Sequence, residues 1–150
     1  MARLLVVGAL VWLGPSCVLV HRRSARARFG AGMIELPGGK VEPGEAPAAA
    51  LARELVEEWG AGARMLVVGP VADVLHHAYA GGPEVVLVVY HVDARAWGAG
   101  WADHLVGEDG IEPIASALAE LPVAEFLEAD RDFAASLAAG RIRCPFERGK

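Results

Sequence analysis

A chain of 150 residues that is 54% apolar and 22% charged can bury one full core and is too apolar to stay disordered. Its net charge of −5 excludes a surface built to coat nucleic acid, although a local basic patch remains compatible with it. The two cysteines, Cys17 and Cys144, form neither a disulfide framework nor a zinc-ligand pattern and are read as reduced thiols without a role.

Arg3 followed by the apolar run from Leu4 to Leu13 has the outline of a signal peptide, and Ser16-Cys17 that of a lipid attachment site. The strand reading is preferred, because the apolar pattern resumes after the Gly14-Pro15 turn; it puts strands at 3–13 and 16–22. No apolar run reaches the ~18–20 residues that cross a bilayer. A cytoplasmic protein with no membrane partner is expected. Residues 24–32 read as a mobile basic loop, and Ile34-Glu35-Leu36-Pro37-Gly38-Gly39-Lys40 as a strand stub entering a turn that uses the freedom of glycine.

Residues 46–59 are the clearest helix, with Pro47 in its first turn, Gly60 at its end, and an apolar stripe of Leu51, Leu55 and Trp59. Strands are expected at 65–78, with a break at Gly69-Pro70, and at 84–92, joined by the hairpin signal Ala80-Gly81-Gly82-Pro83. A short strand near 111–114 and helical pieces at 115–120 and 130–139 complete the chain. Without a regular β-α-β alternation, the pattern predicts one α+β domain over residues 1–150, a sandwich with a mixed sheet.

The chemistry concentrates between Gly39 and Ala61. Glu54, Glu57 and Glu58 stand at i, i+3 and i+4, which places their carboxylates within one helical turn, where like charges repel. Three such residues alone read as a solvated acidic face. The Gly38-Gly39 turn before the helix, Glu45 at its mouth and Arg53 beside the first acid favour a site for a hard divalent cation such as Mg²⁺.

The order Gly39-x5-Glu45-x7-Arg53-Glu54-Leu55-x-Glu57-Glu58-x-Gly60-Ala61 resembles the Nudix box of hydrolases that act on nucleoside diphosphates linked to another group. Every charged and glycine position is present; Ala61 departs from the larger aliphatic residue usual there, which touches packing only. The resemblance implies a Nudix-type α/β/α sandwich. It also implies a Mg²⁺ site, with Mn²⁺ as a substitute, held by Glu54, Glu57, Glu58 and a backbone carbonyl of Gly38 or Gly39. By the same resemblance Arg53 orients the carboxylates, Glu45 supports the turn or a metal-bound water, and Glu108, in Gly107-Glu108-Asp109-Gly110, is a further catalytic acid outside the box. An ordinary surface loop is an equal reading of Glu108.

Similarity also extends to the MutT-type members. Ile34-Glu35-Leu36-Pro37-Gly38-Gly39-Lys40 resembles their lead into the box, with Ile34 where tryptophan is common, and His21-Arg22-Arg23 ends a strand as theirs does. This implies phosphate contacts from Arg23 and Lys40. Arg26 and Arg28 are read as solvated loop charges. Asp130, in Phe126-Leu127-Glu128-Ala129-Asp130-Arg131, stands where these enzymes read a base edge, and is equally suited to cap the last helix.

The expected activity is Mg²⁺-dependent hydrolysis of a nucleoside triphosphate, with oxidised deoxynucleotides among the substrates, to a nucleoside monophosphate and pyrophosphate. The alternatives are a dinucleoside polyphosphate or nucleotide-sugar hydrolase of the ADP-ribose type, and a non-catalytic nucleotide-binding module of the same fold. The partner is a small nucleotide rather than a nucleic acid polymer, and a homodimer is compatible with the sequence. His76 and His77 point to opposite faces of a strand, Tyr79 closes a hairpin, and Trp97 and Trp101 pin a loop.

Overall fold

A computed structural model describes residues 3–106 and 110–146. Glu108 lies outside the described residues. The strands are β1 (Arg3–Gly14), β2 (Cys17–Arg22), β3 (Ile34–Glu35), β4 (Gly38–Lys40), β5 (Val67–Ala78), β6 (Glu84–Asp93) and β7 (Glu112–Ala117). The α-helices are α1 (Pro47–Trp59) and α2 (Glu128–Ala138), with short 3₁₀ segments between the later elements.

β1 organises the sheet, because Val7 and Ala9 to Trp12 are apolar at both parities and are buried on both faces. It runs parallel to β6 from Arg3↔Glu84 to Trp12↔Asp93 and antiparallel to β2 and β4. β5 extends the sheet beyond β6, and β7 covers the far edge of β2 along its length. The sheet is therefore mixed.

Its two faces carry separate cores. On one, Val7, Ala9, Val11 and Leu19 meet Ala50, Leu51, Leu55 and Trp59 of α1. On the other, Leu10, Trp12, Val18 and Val20 meet Phe133, Ala134 and Leu137 of α2. The α/β/α sandwich follows from this alternation along β1 and β2.

The feature that builds the site is a gap in the middle of the sheet. β2 stays paired with β1 at Leu19↔Val11, then turns to β3 through His21↔Glu35 and Arg22↔Ile34. β1 in turn pairs with β4 through Gly8↔Gly38 to Val6↔Lys40. The segment from Ile34 to Lys40 thus passes between the two strands, and the Ala9 N–H fastens it by donating to the Pro37 carbonyl at 2.8 Å.

Three expectations are corrected. Residues 115–117 are not helical; they belong to β7, and only Leu118–Glu120 forms a 3₁₀ turn. Ala115-Ser116-Ala117 carries no strand pattern of its own, and pairing with the open edge of β2 overrides that weak local preference. The last helix begins at Glu128, which moves Asp130 into its first turn; Leu127 occupies the cap, without a side-chain hydrogen bond. At Gly69-Pro70, β5 is irregular in register rather than broken. The 24–32 loop is folded back, with Arg23 Nε donating to the Phe29 carbonyl at 2.9 Å. Cys17 and Cys144 are free thiols, and burial pushes the Cys17 thiol above its ordinary pKa. Among the described residues, no helix is long and apolar enough to cross a membrane.

Candidate active site

α1 is amphipathic by sequence. Ala50, Leu51, Leu55 and Trp59 are buried, and Arg53, Glu54, Glu57 and Glu58 emerge along the side that faces β4. Its N-terminus has no side-chain cap and no acid in the first turn, so Pro47 and core packing position it there. At the other end the Gly60 N–H donates to the Val56 carbonyl at 2.8 Å.

Arg53 is the hub. Its Nε and Nη2 donate to the two oxygens of Glu45 at 2.8 and 2.9 Å, Nη1 reaches Glu54 at 3.1 Å and Glu57 at 3.2 Å, and Nη2 also reaches the Lys40 carbonyl at 3.1 Å. Hydrogen bonding to Arg53 and to the backbone holds the Glu45 carboxyl down at about pKa 2, and Glu45 in turn raises the Arg53 guanidinium above its ordinary value. Glu54 moves the other way. Burial, then the neighbouring Glu57 charge, push its pKa up against the opposing pull of Arg53.

The three helix acids differ in surroundings. The Glu57 side chain is 57% exposed, against 16% for Glu54 and 12% for Glu58. Glu54 lies directly on Gly39, where any Cβ would run into its carboxyl group. Glu58 turns to the start of β4, its Oε1 accepting the Gly38 N–H at 2.8 Å. Gly38 has a φ of +153°, and a Cβ there would meet the Val7 carbonyl, so the site needs glycine at both positions for different reasons.

Glu58 Oε2 also lies 3.4 Å from His21 Nε2, which is 3.0 Å from Glu35 Oε2. One ligand-type atom from each of His21, Glu35 and Glu58 falls within 4.8 Å of the others. Glu35 accepts from Arg23 Nη1 at 3.0 and 3.1 Å, which links this group to the basic loop. Carboxylates outnumber guanidinium groups across Glu35, Glu45, Glu54, Glu57, Glu58, Arg23 and Arg53. That excess, with oxygen donors and a nearby turn, fits a hard divalent cation.

Two cavities of about 290 Å³ each flank the acids. The polar one is lined by Arg23, Ser24, Arg26, Glu35 and Glu58. The other is mainly apolar, and Gly38, Gly39, Lys40, Val6, Val85, Leu87, Phe29, Tyr79 and Asp130 are among the residues that line it. The Phe29 and Tyr79 rings meet edge to face at 5.2 Å. Asp130 is 6% exposed and accepts the Leu36 N–H at 3.2 Å. Burial raises its pKa to about 7; the Leu36 hydrogen bond opposes this rise, and the nearby Glu35 adds to it.

The structure therefore brings Arg23, Gly38, Gly39, Lys40, Glu45, Arg53, Glu54, Glu57, Glu58 and Asp130 to one side of the molecule, around the β3–β4 segment and the two cavities. Arg26 and Arg28 are exposed, and Arg26 reaches the polar cavity. Tyr79 closes the β5–β6 hairpin through its N–H to the Pro83 carbonyl, and also lines the apolar cavity. Trp97 stacks on His104 at 5.2 Å and, like Trp101, packs with the α1-side core. His76 is exposed beside Glu84, and His77 lies against Tyr79. Sequence reading assigns no site role to His21, Glu35 or Phe29. For Glu35 the available signal is an acid between the apolar Ile34 and Leu36 at the mouth of a glycine turn.

Residues 2–136 match the family described as NUDIX domain. A protein of Mycobacterium tuberculosis named "Putative 8-oxo-dGTP diphosphatase 2" is 45% identical over 67 residues; the match covers 45% of this chain and 45% of that relative, so it spans under half the relative's length. The crystal structure of a MutT NUDIX hydrolase from Burkholderia pseudomallei superposes with a TM-score of 0.69 at 27% identity, covering 90% of this chain and 98% of that one. MutT protein from Methanosarcina mazei gives 0.65 at 24% identity over 93% and 95% of the two chains. A NUDIX hydrolase from Nitrosomonas europaea gives 0.71 at 17% identity over 99% and 98%, a likeness of fold alone. The chain belongs to the NUDIX family, and its fold is similar to that of a MutT member of it.

Proposed function

We propose that the chain hydrolyses a nucleoside triphosphate to a nucleoside monophosphate and pyrophosphate, with Mg²⁺ as the preferred cation and Mn²⁺ as a substitute. The observation that carries this reading is that the acidic side of α1 and the apolar cavity share one border, the Gly38–Lys40 strand. A charged diphosphate on one side of that strand and a flat apolar base on the other are parts of one ligand.

Glu54, Glu57 and Glu58, with a carbonyl of the Gly38-Gly39 turn, would hold the cation. Bound there, it would neutralise the diphosphate and acidify an attacking water. Arg53 keeps Glu54 and Glu57 on one side, and Glu45 keeps Arg53 in place with its two-pronged ion pair. The Gly38 N–H fixes Glu58. Arg23 and Lys40 supply positive charge at the borders of the cavities, suited to phosphate oxygens. Phe29 and Tyr79 offer aromatic surface to a base, and Asp130 offers its edge a hydrogen-bond acceptor, or a donor when protonated. Glu108 is retained as a further acid for the reaction.

The name of the M. tuberculosis relative directs the test toward oxidised guanine nucleotides. A panel of dGTP, 8-oxo-dGTP, other triphosphates, ADP-ribose and dinucleoside polyphosphates, assayed with Mg²⁺ for kcat/KM and product identity, is expected to favour triphosphates and to release pyrophosphate. Preference for ADP-ribose or dinucleoside polyphosphates would move the substrate class. Tight nucleotide binding without turnover of any compound would favour the binding module.

A further inference from the structure

We propose that His21 is a positioning residue that holds Glu35 of β3 beside Glu58 of α1, donating to Glu35 as a neutral imidazole whose proton is held on Nε2 by the indole of Trp59. The inference deepens the proposed function and rests on Glu58 being a cation ligand.

His21 is fully buried, between the sheet and α1. Trp59 Nε1 lies 2.9 Å from His21 Nδ1. An indole N–H only donates, so Nδ1 must present its lone pair, and the ring's one proton sits on Nε2. That proton faces Glu35 Oε2 at 3.0 Å and Glu58 Oε2 at 3.4 Å. With Nδ1 already accepting and Nε2 carrying hydrogen, neither nitrogen has a lone pair for a metal. The group of His21, Glu35 and Glu58 is therefore a His21–Glu35 hydrogen bond set against Glu58 rather than a three-ligand cation site.

The arrangement answers a specific need. Glu35 and Glu58 come from different elements, carry the same charge and converge. A cationic bridge would draw them together and would also compete with a bound cation for their charge. A neutral imidazole gives direction without neutralising them, as hydrogen-bonded partners behind ligating carboxylates do elsewhere. Glu58 then accepts the Gly38 N–H on one oxygen and has His21 Nε2 3.4 Å from the other. Trp59 ends the same helix that carries Glu58, so the apolar stripe of α1 and its acidic side are joined through one ring.

Two measurements test this on the intact chain without turnover. Long-range ¹H–¹⁵N correlation on the wild type should find His21 protonated on Nε2 alone; a proton on Nδ1 would overturn the proposal. Mn²⁺ binding, followed by electron paramagnetic resonance, should weaken about 10-fold or more in His21→Leu, the scale seen when a partner behind a metal ligand is lost, and recover most of that in His21→Gln, whose amide can still donate. Wild-type affinity in a folded His21→Leu would overturn the role of His21 alone. Should His21→Leu not fold, the tautomer and the His21→Gln affinity decide. A wild type that binds no Mn²⁺ at all would remove the cation site of the proposed function and this role with it.

Discussion

Glu45 and Arg53 meet as two forks, Nε to Oε2 at 2.8 Å and Nη2 to Oε1 at 2.9 Å, and the third arm of the same guanidinium, Nη1, reaches Glu54 and Glu57. One planar cation thereby fixes a loop acid and two helix acids together. A lysine has the charge without the plane. Arg53→Lys is expected to keep the fold and the nucleotide KM near wild type while kcat falls about 100-fold, the cost of misplacing reacting groups by roughly 1 Å. Steady-state kinetics at saturating Mg²⁺ checks this; an unchanged kcat would mean that the fork organises nothing the reaction needs.

Glu57 and Glu58 are neighbours in sequence and should respond differently to the same change. Glu57→Gln removes an exposed charge whose repulsion helps raise the Glu54 pKa, so stability should hold or rise slightly while kcat drops. Glu58 uses one oxygen for Gly38 N–H and faces His21 with the other. A glutamine has a single acceptor, so one of those two donors would confront an NH₂ group, and Glu58→Gln should lose about 1–3 kcal/mol as well as activity. Denaturant melts of the two variants, run side by side, decide; equal stability would argue against this placement of Glu58 between Gly38 and His21.

Gly38 and Gly39 separate backbone need from side-chain need. In Gly38→Ala the new methyl group meets the fixed carbonyl of Val7 at a φ of +153°, which nothing nearby can relieve. In Gly39→Ala it meets the carboxyl end of Glu54, which can swing aside. Gly38→Ala is therefore expected to yield poorly folded protein, and Gly39→Ala a folded protein with a displaced Glu54, weak Mn²⁺ binding and low kcat. Circular dichroism and Mn²⁺ titration separate the outcomes, and a Gly39→Ala enzyme with full activity would contradict the close packing of Glu54.

What is legible in sequence follows the range of each interaction. The helix that bears Glu54, Glu57 and Glu58, and its buried stripe of Leu51, Leu55 and Trp59, are readable because i, i+3 and i+4 spacing is local geometry. The His21–Glu35 pair is not, because it depends on the register of β2 against β3 and on the gap that admits Ile34–Lys40 between two strands. For Asp130 the helix-cap alternative fails, since the helix starts two residues before it and its carboxyl turns inward to Leu36, a long-range contact that local spacing does not encode. β7 is not legible over Ala115-Ser116-Ala117 because its pairing is imposed by β2 rather than by those residues.

Asp130 gives a pH signature that is independent of turnover. Burial raises its pKa from 3.8 to about 7, so between those values the folded chain keeps a proton that the unfolded chain has released. Stability from this group is complete below pH 3.8 and is lost as pH rises through about 7. A separation of that size corresponds to on the order of 4 kcal/mol between the two limits. The amide in Asp130→Asn would bind no such proton, and its oxygen can still accept from Leu36. The stability of Asp130→Asn relative to wild type should therefore climb from pH 5 to pH 8, seen as a widening gap in Tm across that interval. A gap that stays constant would mean that the carboxyl is ionised throughout, and that the base edge meets an acceptor only. A gap that widens with pH would mean that near neutrality the same side chain can also present a donor, and kcat/KM for bases that need one should then decline over the same pH range.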